Sequence, residues 1–160
     1  MHKLPEAYLA RMRMQLGEEE YNAYLRAMEE QPKRALRVNL LKTTAEAFCA
    51  NADFSLASTG ILPESFFFED EVAIGRHPLH TSGLCYVQEP AAQAPATLVH
   101  VRAGMAVLDL CAAPGGKTTQ LAAQMQNTGI LVANEPVRSR ADTLVGNLER
   151  LGVTNALVTC

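Results

Sequence analysis

Hydrophobic residues recur at helical spacing near the start of the chain, at Leu9, Met12 and Leu16. Pro5 precedes this stripe and Gly17 follows it, as is typical of the two ends of a helix. The same spacing returns after a run of three glutamates, at Tyr21, Tyr24, Leu25 and Met28. Because negative charge favours the start of a helix, we interpret the acidic run as a solvated helix start rather than a metal site. The pattern therefore predicts a helical hairpin.

Residues 35–41 alternate between apolar and polar side chains instead. Their apolar set would lie on one face of a strand and their polar set on the other, with Leu36, Val38 and Leu40 opposite Arg37 and Asn39. We expect a half-buried strand. Thr43 and Glu46 then form a capping-box pattern ahead of a helix over residues 45–52. Three successive phenylalanines at 66–68 predict a short strand, and a loop is expected around residues 75–84.

From about residue 105 the order becomes strand, loop, helix, strand, helix, strand. Strands are predicted at 105–111, buried on both faces, and at 130–134 and 156–159; helices are predicted at 117–126 and 138–151, the second closed by Gly152. We therefore predict an α/β protein. The first half of a doubly wound, Rossmann-like sheet over residues 81–160 would follow a small α+β N-terminal domain over residues 1–80. Half of such a sheet would leave an open strand edge and an uncovered apolar face.

Composition narrows the class of protein only moderately. The 160 residues are 48% hydrophobic, which is typical of a globular protein, and carry a formal net charge of −3. This charge argues against a surface that binds nucleic acid everywhere, although a local basic patch is compatible with it. No apolar run approaches the roughly 18 residues of a membrane span, and the N-terminus does not resemble a cleavable signal. We expect no membrane association and a cytoplasmic location.

Cysteine and histidine positions do not indicate disulfides or a metal site. The four cysteines, at 49, 85, 111 and 160, include no Cys-x-x-Cys pair, so reduced thiols are expected. His77 and His80 have no further ligand at suitable spacing, and Pro78 interrupts any helix that would align them. No metal site is predicted.

The segment VLDLCAAPGGKTT, residues 107–119, predicts a turn from a strand to a helix that approaches a ligand closely. Its Gly-Lys-Thr ending suggests a phosphate-binding loop, which requires a glycine five residues before the second glycine. Cys111 occupies that position, and Pro114 has no N–H group to offer phosphate. A nucleoside triphosphatase therefore remains the less favoured alternative.

A nucleotide-bearing cofactor with a free carboxylate fits this turn better, because a helix N-terminus attracts such an anion. S-adenosylmethionine has this carboxylate and an unphosphorylated ribose. Glu135 follows the second predicted strand, 20 residues beyond Gly115, where an acid can accept hydrogen bonds from both ribose hydroxyls. Asp109 would steady the turn, contact the cofactor's amino group or satisfy loop amides.

Three segments resemble one enzyme family: CAAPGGKT at 111–118, LCYVQEPAAQAP at 84–95 and RVNLLK at 37–42. They are similar to the Sun (Fmu) family of S-adenosylmethionine-dependent RNA cytosine-5 methyltransferases, most of all to the bacterial enzymes that modify small-subunit ribosomal RNA. The resemblance implies that Glu135 holds the cofactor's ribose. It also implies that the cofactor is lined by Cys111, Ala112, Ala113, Pro114, Gly115, Gly116 and Lys117.

The resemblance further assigns Arg37 and Asn39 to an N-terminal domain on the RNA side. Four basic residues occur without an acid between positions 31 and 43, namely Lys33, Arg34, Arg37 and Lys42. Such a group would contact RNA phosphates, or it would simply be a basic edge strand.

The family's chemistry, as the resemblance implies, begins with a cysteine thiolate that adds to carbon 6 of cytosine, and carbon 5 then accepts the methyl group. The thiolate and a neighbouring acid belong to motifs that follow the third strand, where this sequence ends. We therefore expect no catalytic nucleophile among these residues. Cys111 is interpreted as a small packed side chain in the cofactor pocket, and the other three cysteines as structural.

The sequence thus predicts the cofactor-binding portion of a 16S ribosomal RNA cytosine-5 methyltransferase that is inactive as this segment alone. An inactive module that binds RNA or cofactor is the alternative from a different class.

Overall fold

The computed structural model describes residues 4–30 and 32–160. These residues form two compact units, the first ending at Pro32 and the second running from Lys33 to Cys160. In the first unit, helix α1 (Glu6–Glu29) has non-helical dihedral angles at Gly17, with φ 76° and ψ 172°. The predicted break is therefore present. The hydroxyl groups of Tyr8 and Tyr24 lie 2.9 Å apart, so the two helical segments contact each other.

The second unit begins with an antiparallel sheet. Its strands are β1 (Ala35–Val38), β2 (Leu56–Ser58), β3 (Ser65–Phe68) and β4 (Cys85–Val87), in the order β2-β3-β1-β4. Helices α2 (Ala45–Asn51) and α3 (Pro78–Thr81) complete this part. Phe48 of α2 is buried with Leu36 and Val38 in its hydrophobic core. Thr44 rather than Thr43 caps α2, since its side chain accepts a hydrogen bond from the Ala47 N–H.

Strand β1 is buried on both faces, so the prediction of a half-buried strand is wrong. Arg37 and Asn39 are each only 3% exposed, whereas Leu40, expected inside, lies beyond the end of the strand and is 51% exposed. The reason is that β1 is an interior strand whose polar face packs against the second half of the chain. The Asn39 side-chain amide donates to the carbonyl oxygens of Gly83 and Leu151, at 2.8 and 2.9 Å.

A parallel sheet in the order β5-β6-β7 follows. Its strands are β5 (Ala106–Asp109), β6 (Ile130–Asn134) and β7 (Ala156–Thr159), and its helices are α4 (Pro90–Leu98), α5 (Gly116–Gln124) and α6 (Arg138–Leu151). The bounds of β6, α6 and β7 agree with the prediction. Strand β4 and helix α4 were not predicted, nor was β2.

Helices α5 and α6 cover only one face of this sheet. Leu131 and Ala133 of β6 are buried on that face, against Leu121 of α5 and Leu144 of α6 respectively. On the other face Leu108 is 59% and Leu157 55% exposed. The expectation that β5 is buried on both faces is therefore wrong. The open edge and uncovered apolar face expected of half a sheet are present in the described ranges, where β5 pairs with β6 alone.

Strand β4 lies after residue 80, yet it pairs with β1 of the first sheet. The antiparallel sheet therefore extends past the domain boundary that we expect at residue 80, and the division of the protein there stays a prediction. No helix in the described part of the chain is long and apolar enough to cross a membrane.

Candidate cofactor-binding site

The turn between β5 and α5 depends on glycine and on an acid. Gly115 has a φ of 111°, and a Cβ atom placed on it would lie 3.2 Å from a methyl carbon of Leu144, so a side chain does not fit. Asp109 Oδ1 accepts a hydrogen bond from the Cys111 N–H at 3.2 Å, and its Oδ2 accepts one from the Thr118 hydroxyl at 2.7 Å. Among the roles considered for Asp109, the structure therefore shows that it steadies the turn by binding loop donors.

Three carbonyl groups of the loop are held by side chains from other elements. Ala113 O accepts from Arg140 Nη2 at 3.2 Å, and Pro114 O accepts from Asn147 Nδ2 at 2.8 Å. Gly116 O accepts from Arg37 Nη1 at 2.8 Å. Helix α5 begins at Gly116, so the N–H groups of its first turn have no partner within the helix. The loop is thus fixed by its carbonyls while amide donors remain at the helix start.

An open cleft of about 230 Å³ lies between this loop and a wall formed by β4 and the residues that follow it. The cleft contains six of the seven predicted loop residues, and Gly115 is buried instead. Its full lining is Tyr86, Val87, Gln88, Ala92, Cys111, Ala112, Ala113, Pro114, Gly116 and Lys117. A second cleft of about 310 Å³ on the β5 side shares Cys111 and Lys117. Contact between these residues and a cofactor stays a prediction.

Tyr86 and Gln88 line the first cleft, but the sequence did not identify their side chains as site residues. Gln88 Nε2 donates to Ala92 O at 2.9 Å, and its Oε1 accepts from Arg37. A Cβ atom placed on Gly116 would lie 3.2 Å from Gln88 Nε2 and 3.4 Å from Tyr86 Cε1. The two walls of the cleft therefore nearly touch at Gly116. The segment LCYVQEPAAQAP was the available clue, because the resemblance already included it.

Glu135 follows β6, as predicted, but its carboxylate is only 2% exposed. Its Oε1 accepts a hydrogen bond from the Val137 N–H at 3.0 Å, and its Oε2 lies 3.4 Å from Arg140 Nη1. In the described part of the chain, the residues that line the first and second clefts do not include Glu135. The sequence prediction placed this acid at the correct end of the sheet but did not anticipate its protein partners.

The four basic residues around the first strand do not form one surface patch, because Arg37 is buried while Lys33 and Lys42 are exposed. Burial lowers the pKa of Arg37 to about 10, and its guanidinium binds Gln120 and Thr119 of helix α5. Arg34 donates to Asp70 O and Val72 O, and Lys42 donates to Ser82 O and Arg150 O. Both interpretations of Arg37, as a residue that contacts RNA phosphates and as part of an edge strand, are therefore wrong. Arg37 lies inside the protein, on a strand that is paired on both sides.

The cysteines differ in environment. Burial raises the pKa of the Cys85 thiol to about 12, although the charge of Arg150 opposes the shift, so this thiol stays protonated at neutral pH. Cys111 lines both clefts and is exposed, so the packed side chain expected there is wrong. Cys49 and Cys160 are exposed as well.

His77 has a structural role in this protein. Its Nε2 lies 2.8 Å from Asp53 Oδ1, and its Nδ1 accepts the Leu79 N–H at the start of α3. The pairing lowers the pKa of Asp53. Within residues 4–30 and 32–160, no group of three or more histidine, cysteine or acidic side chains is arranged to hold a metal ion.

Comparison with known proteins identifies both halves of the chain. Residues 4–90 match the family model described as the N-terminal domain of 16S rRNA methyltransferase RsmF, and residues 96–160 match the one described as 16S rRNA methyltransferase RsmB/F. Ribosomal RNA small subunit methyltransferase F from Enterobacter sp. (strain 638) is 35% identical over 97% of this chain and 34% of its own length. The protein of the same name from Vibrio campbellii is 38% identical over 98% and 34%.

A solved structure of a methyltransferase homolog protein from Pyrococcus horikoshii superimposes with a TM-score of 0.82 at 28% identity, over 98% of this chain and 56% of that one. The chain thus spans about a third of the length of the curated relatives that it matches. It belongs to the RsmB/F family of 16S rRNA methyltransferases and begins with the RsmF-type N-terminal domain.

Proposed function

We propose that this chain forms the S-adenosylmethionine-binding part of a cytosine-5 methyltransferase that acts on 16S ribosomal RNA. The observation that supports this most directly is the fixed turn at residues 111–117 with an open cleft beside it, in a chain of a methyltransferase family. The proposed location is the cytoplasm, where ribosomal RNA would be the partner.

The residues present fit the cofactor. The absence of a side chain at Gly116 lets the start of α5 approach Gln88 and Tyr86 closely, and the first-turn amides of α5 suit a carboxylate. Glu135 is proposed to bind the ribose. A carboxylate has about four acceptor positions, and the Val137 N–H and Arg140 use about two of them, which leaves capacity for hydroxyl donors.

S-adenosylmethionine supplies an electrophilic methyl group when it is bound. This chain's residues would hold it through the loop that starts at Cys111 and through Glu135, and they would orient it by keeping the loop carbonyls turned toward Arg140, Asn147 and Arg37. The thiolate nucleophile and its acid are proposed to lie outside these residues. RNA contact by the first 80 residues stays part of the proposal, but not through Arg37, which is buried.

Calorimetric titration with S-adenosylhomocysteine tests the cofactor assignment. We expect the protein to bind it and Gly116→Val to lose at least about tenfold in affinity, because the added methyl groups would meet Gln88 and Tyr86. Gly146→Ala is the matched control, since a Cβ at Gly146 meets nothing within 4 Å. Absence of binding to the unaltered protein, or equal binding to Gly116→Val, would contradict the proposal.

Two further assays separate the alternatives. Magnesium-dependent hydrolysis of ATP that fails in Lys117→Ala would support a triphosphatase instead. Transfer of labelled methyl groups to 16S ribosomal RNA by these 160 residues is not expected, and detecting it would show that they contain a nucleophile that we have not assigned.

A further inference from the structure

Arg37 is a buried cation that is bound by neutral groups. It is 3% exposed, and none of the ion pairs in residues 4–30 and 32–160 includes it. Its Nη1 donates to Gln88 Oε1, to Gly116 O at 2.8 Å and to Gln120 Oε1 at 3.1 Å, and its Nη2 donates to Thr119 Oγ1 at 2.8 Å. The guanidinium also lies 5.7 Å from the centre of the Tyr86 ring. Burial without a carboxylate partner is costly, so the position demands an explanation beyond packing.

Two of the four partners of Arg37, Gln88 and Gly116, belong to the two walls of the first cleft. Gln88 lines the wall formed by β4 and the residues that follow it, and Gly116 lines the opposite wall at the start of α5. One nitrogen, Nη1, therefore connects both walls. Arg37 itself does not line the cleft, so it holds the walls from behind.

The separation between these walls is sensitive to the position of Gln88. Its amide is fixed at both ends, because Oε1 accepts from Arg37 and Nε2 donates to Ala92 O. A Cβ atom placed on Gly116 would lie 3.2 Å from Gln88 Nε2. A small shift of Gln88 toward the loop would narrow the cleft, and a shift of the loop carbonyl would turn the first-turn amides of α5.

A positive charge is not an obvious choice for this position. It lies beside the first turn of α5, where the helix dipole disfavours a cation. A guanidinium nevertheless offers five N–H donors in a rigid, planar fork, whereas the donors of a lysine all lie on one ammonium nitrogen. Geometry, rather than charge, is what the site gains from arginine.

We propose that Arg37 is a positioning residue that sets the gap between Gln88 and Gly116 and thereby controls cofactor affinity without touching the cofactor. The affinity part rests on the proposed function. The holding of the loop does not, so the two are tested separately.

The experiment compares Arg37→Lys with Lys42→Met in the same protein. Lys42 is the matched control because its Nζ also joins two segments, donating to Ser82 O at 2.8 Å and to Arg150 O at 2.7 Å, and lines neither cleft. Hydrogen exchange of peptides covering residues 111–119 is measured without ligand, and the Kd for S-adenosylhomocysteine is measured by calorimetry. Urea unfolding reports the stability lost in each variant.

In Arg37→Lys we expect exchange of the loop amides to be faster, and the Kd to be weaker, each on the order of tenfold. Lys42→Met is expected to leave both within about twofold of the unaltered protein. Unchanged exchange in Arg37→Lys, or equal changes in Lys42→Met, would overturn the proposal.

Gln88→Ala keeps the test decisive if Arg37→Lys does not fold. It removes one acceptor of Arg37 and should also speed exchange of the loop. Where Arg37→Lys does fold, the double variant should show less than the sum of the single effects, because both residues act through one contact. Strict additivity would count against the proposal. If the unaltered protein does not bind S-adenosylhomocysteine, the proposed function fails, while loop exchange still decides whether Arg37 holds the loop.

Discussion

Arg140 Nη1 lies 3.4 Å from Glu135 Oε2, and the same guanidinium donates through Nη2 to Ala113 O at 3.2 Å. One arginine on α6 therefore links the acid that follows β6 to the loop that follows β5. The acid proposed to bind the ribose and the loop proposed to hold the rest of the cofactor are mechanically connected before any ligand arrives.

Glu135 should stabilise the protein even without a ligand. Glu135→Ala removes the acceptor of the Val137 N–H and the partner of Arg140, so the free energy of unfolding is expected to fall by about 2 kcal/mol in urea titration. Most of this loss is assigned to the hydrogen bond between the buried Glu135 carboxylate and the Val137 N–H, because the Arg140 side chain is 57% exposed and such pairs contribute little.

Glu135→Gln separates stability from binding. Its side-chain oxygen can still accept from Val137, so we expect a stability loss below about 1 kcal/mol but an affinity for S-adenosylhomocysteine about tenfold weaker. Equal affinity of Glu135→Gln and the unaltered protein would remove the ribose assignment.

Two glycine substitutions are expected to change the free energy of unfolding in opposite directions. Gly115→Ala places a Cβ 3.2 Å from Leu144 at a φ of 111°, and should reduce the free energy of unfolding by about 1–2 kcal/mol. Gly146→Ala, within helix α6 and in open space, should increase it by about 0.5–1 kcal/mol. Thermal unfolding of both variants checks the pair, and a stabilised Gly115→Ala would mean that the turn differs from the one described.

The bond between Thr118 and Asp109 should be measurable by a double-mutant cycle. Thr118→Val removes the hydroxyl that lies 2.7 Å from Asp109 Oδ2 and keeps the side chain's shape. Because the acceptor is a carboxylate, we expect a loss of about 1.5–3 kcal/mol, which should largely vanish when Asp109 is already replaced by Ala. An undiminished loss in the Asp109→Ala background would show that packing, not this bond, accounts for the effect.

Cys85 should make the protein less stable at alkaline pH. Its folded pKa of about 12 lies above the ordinary thiol value of 9.0, so the unfolded chain loses its proton first as pH rises. The contribution is fully present below pH 9 and is lost toward pH 12, at about 1.4 kcal/mol per pH unit in this window. Tyr86, whose pKa is also raised by burial, acts in the same direction, so the test is the difference in slope between the unaltered protein and Cys85→Ala. Equal slopes would contradict it.

Cys111 should report occupation of the cleft. It is exposed and lines both clefts, whereas Cys85 is buried. Alkylation followed by peptide mass analysis should label Cys111 in the free protein, and saturating S-adenosylhomocysteine should slow that labelling several-fold or more. Cys49 is the internal control because it is exposed on α2. Equal protection of both cysteines would indicate an effect that is not local to the cleft.

The second half of the fold could be predicted closely because local rules decide it. Helix α6 has a regular apolar stripe and ends before Gly152, and β6 is a continuous apolar run. Strands β2 and β4 have three residues each, too few for a periodic pattern, and α4 contains Pro95, which argues against a helix in sequence. The predicted cap of α2, Thr43, was wrong by one position because the neighbouring residue, Thr44, is also a threonine.

The turn at the candidate site was predictable, but the side chains that support it were not. Glycine and proline within residues 111–117 indicate a turn by themselves, so the turn between β5 and α5 could be found in the sequence, while its contact with a cofactor stays a prediction. Arg37 could not be placed, since alternation along a strand predicts two faces without telling what packs against the polar one. Its partners lie 51 to 83 residues away along the chain, and only folding brings them together.

The two carbonyls that Asn39 binds, at Gly83 and Leu151, matter to anyone who would express the cofactor half alone. A protein shortened to start at residue 81 would contain both carbonyl groups. It would lack the Asn39 side chain that binds them and strand β1, which Asn39 directly follows. Because β4 would also lose its pairing with β1 and become an unpaired edge, such a shortened product should be more prone to aggregation, and the smallest tractable version of this protein should retain β1.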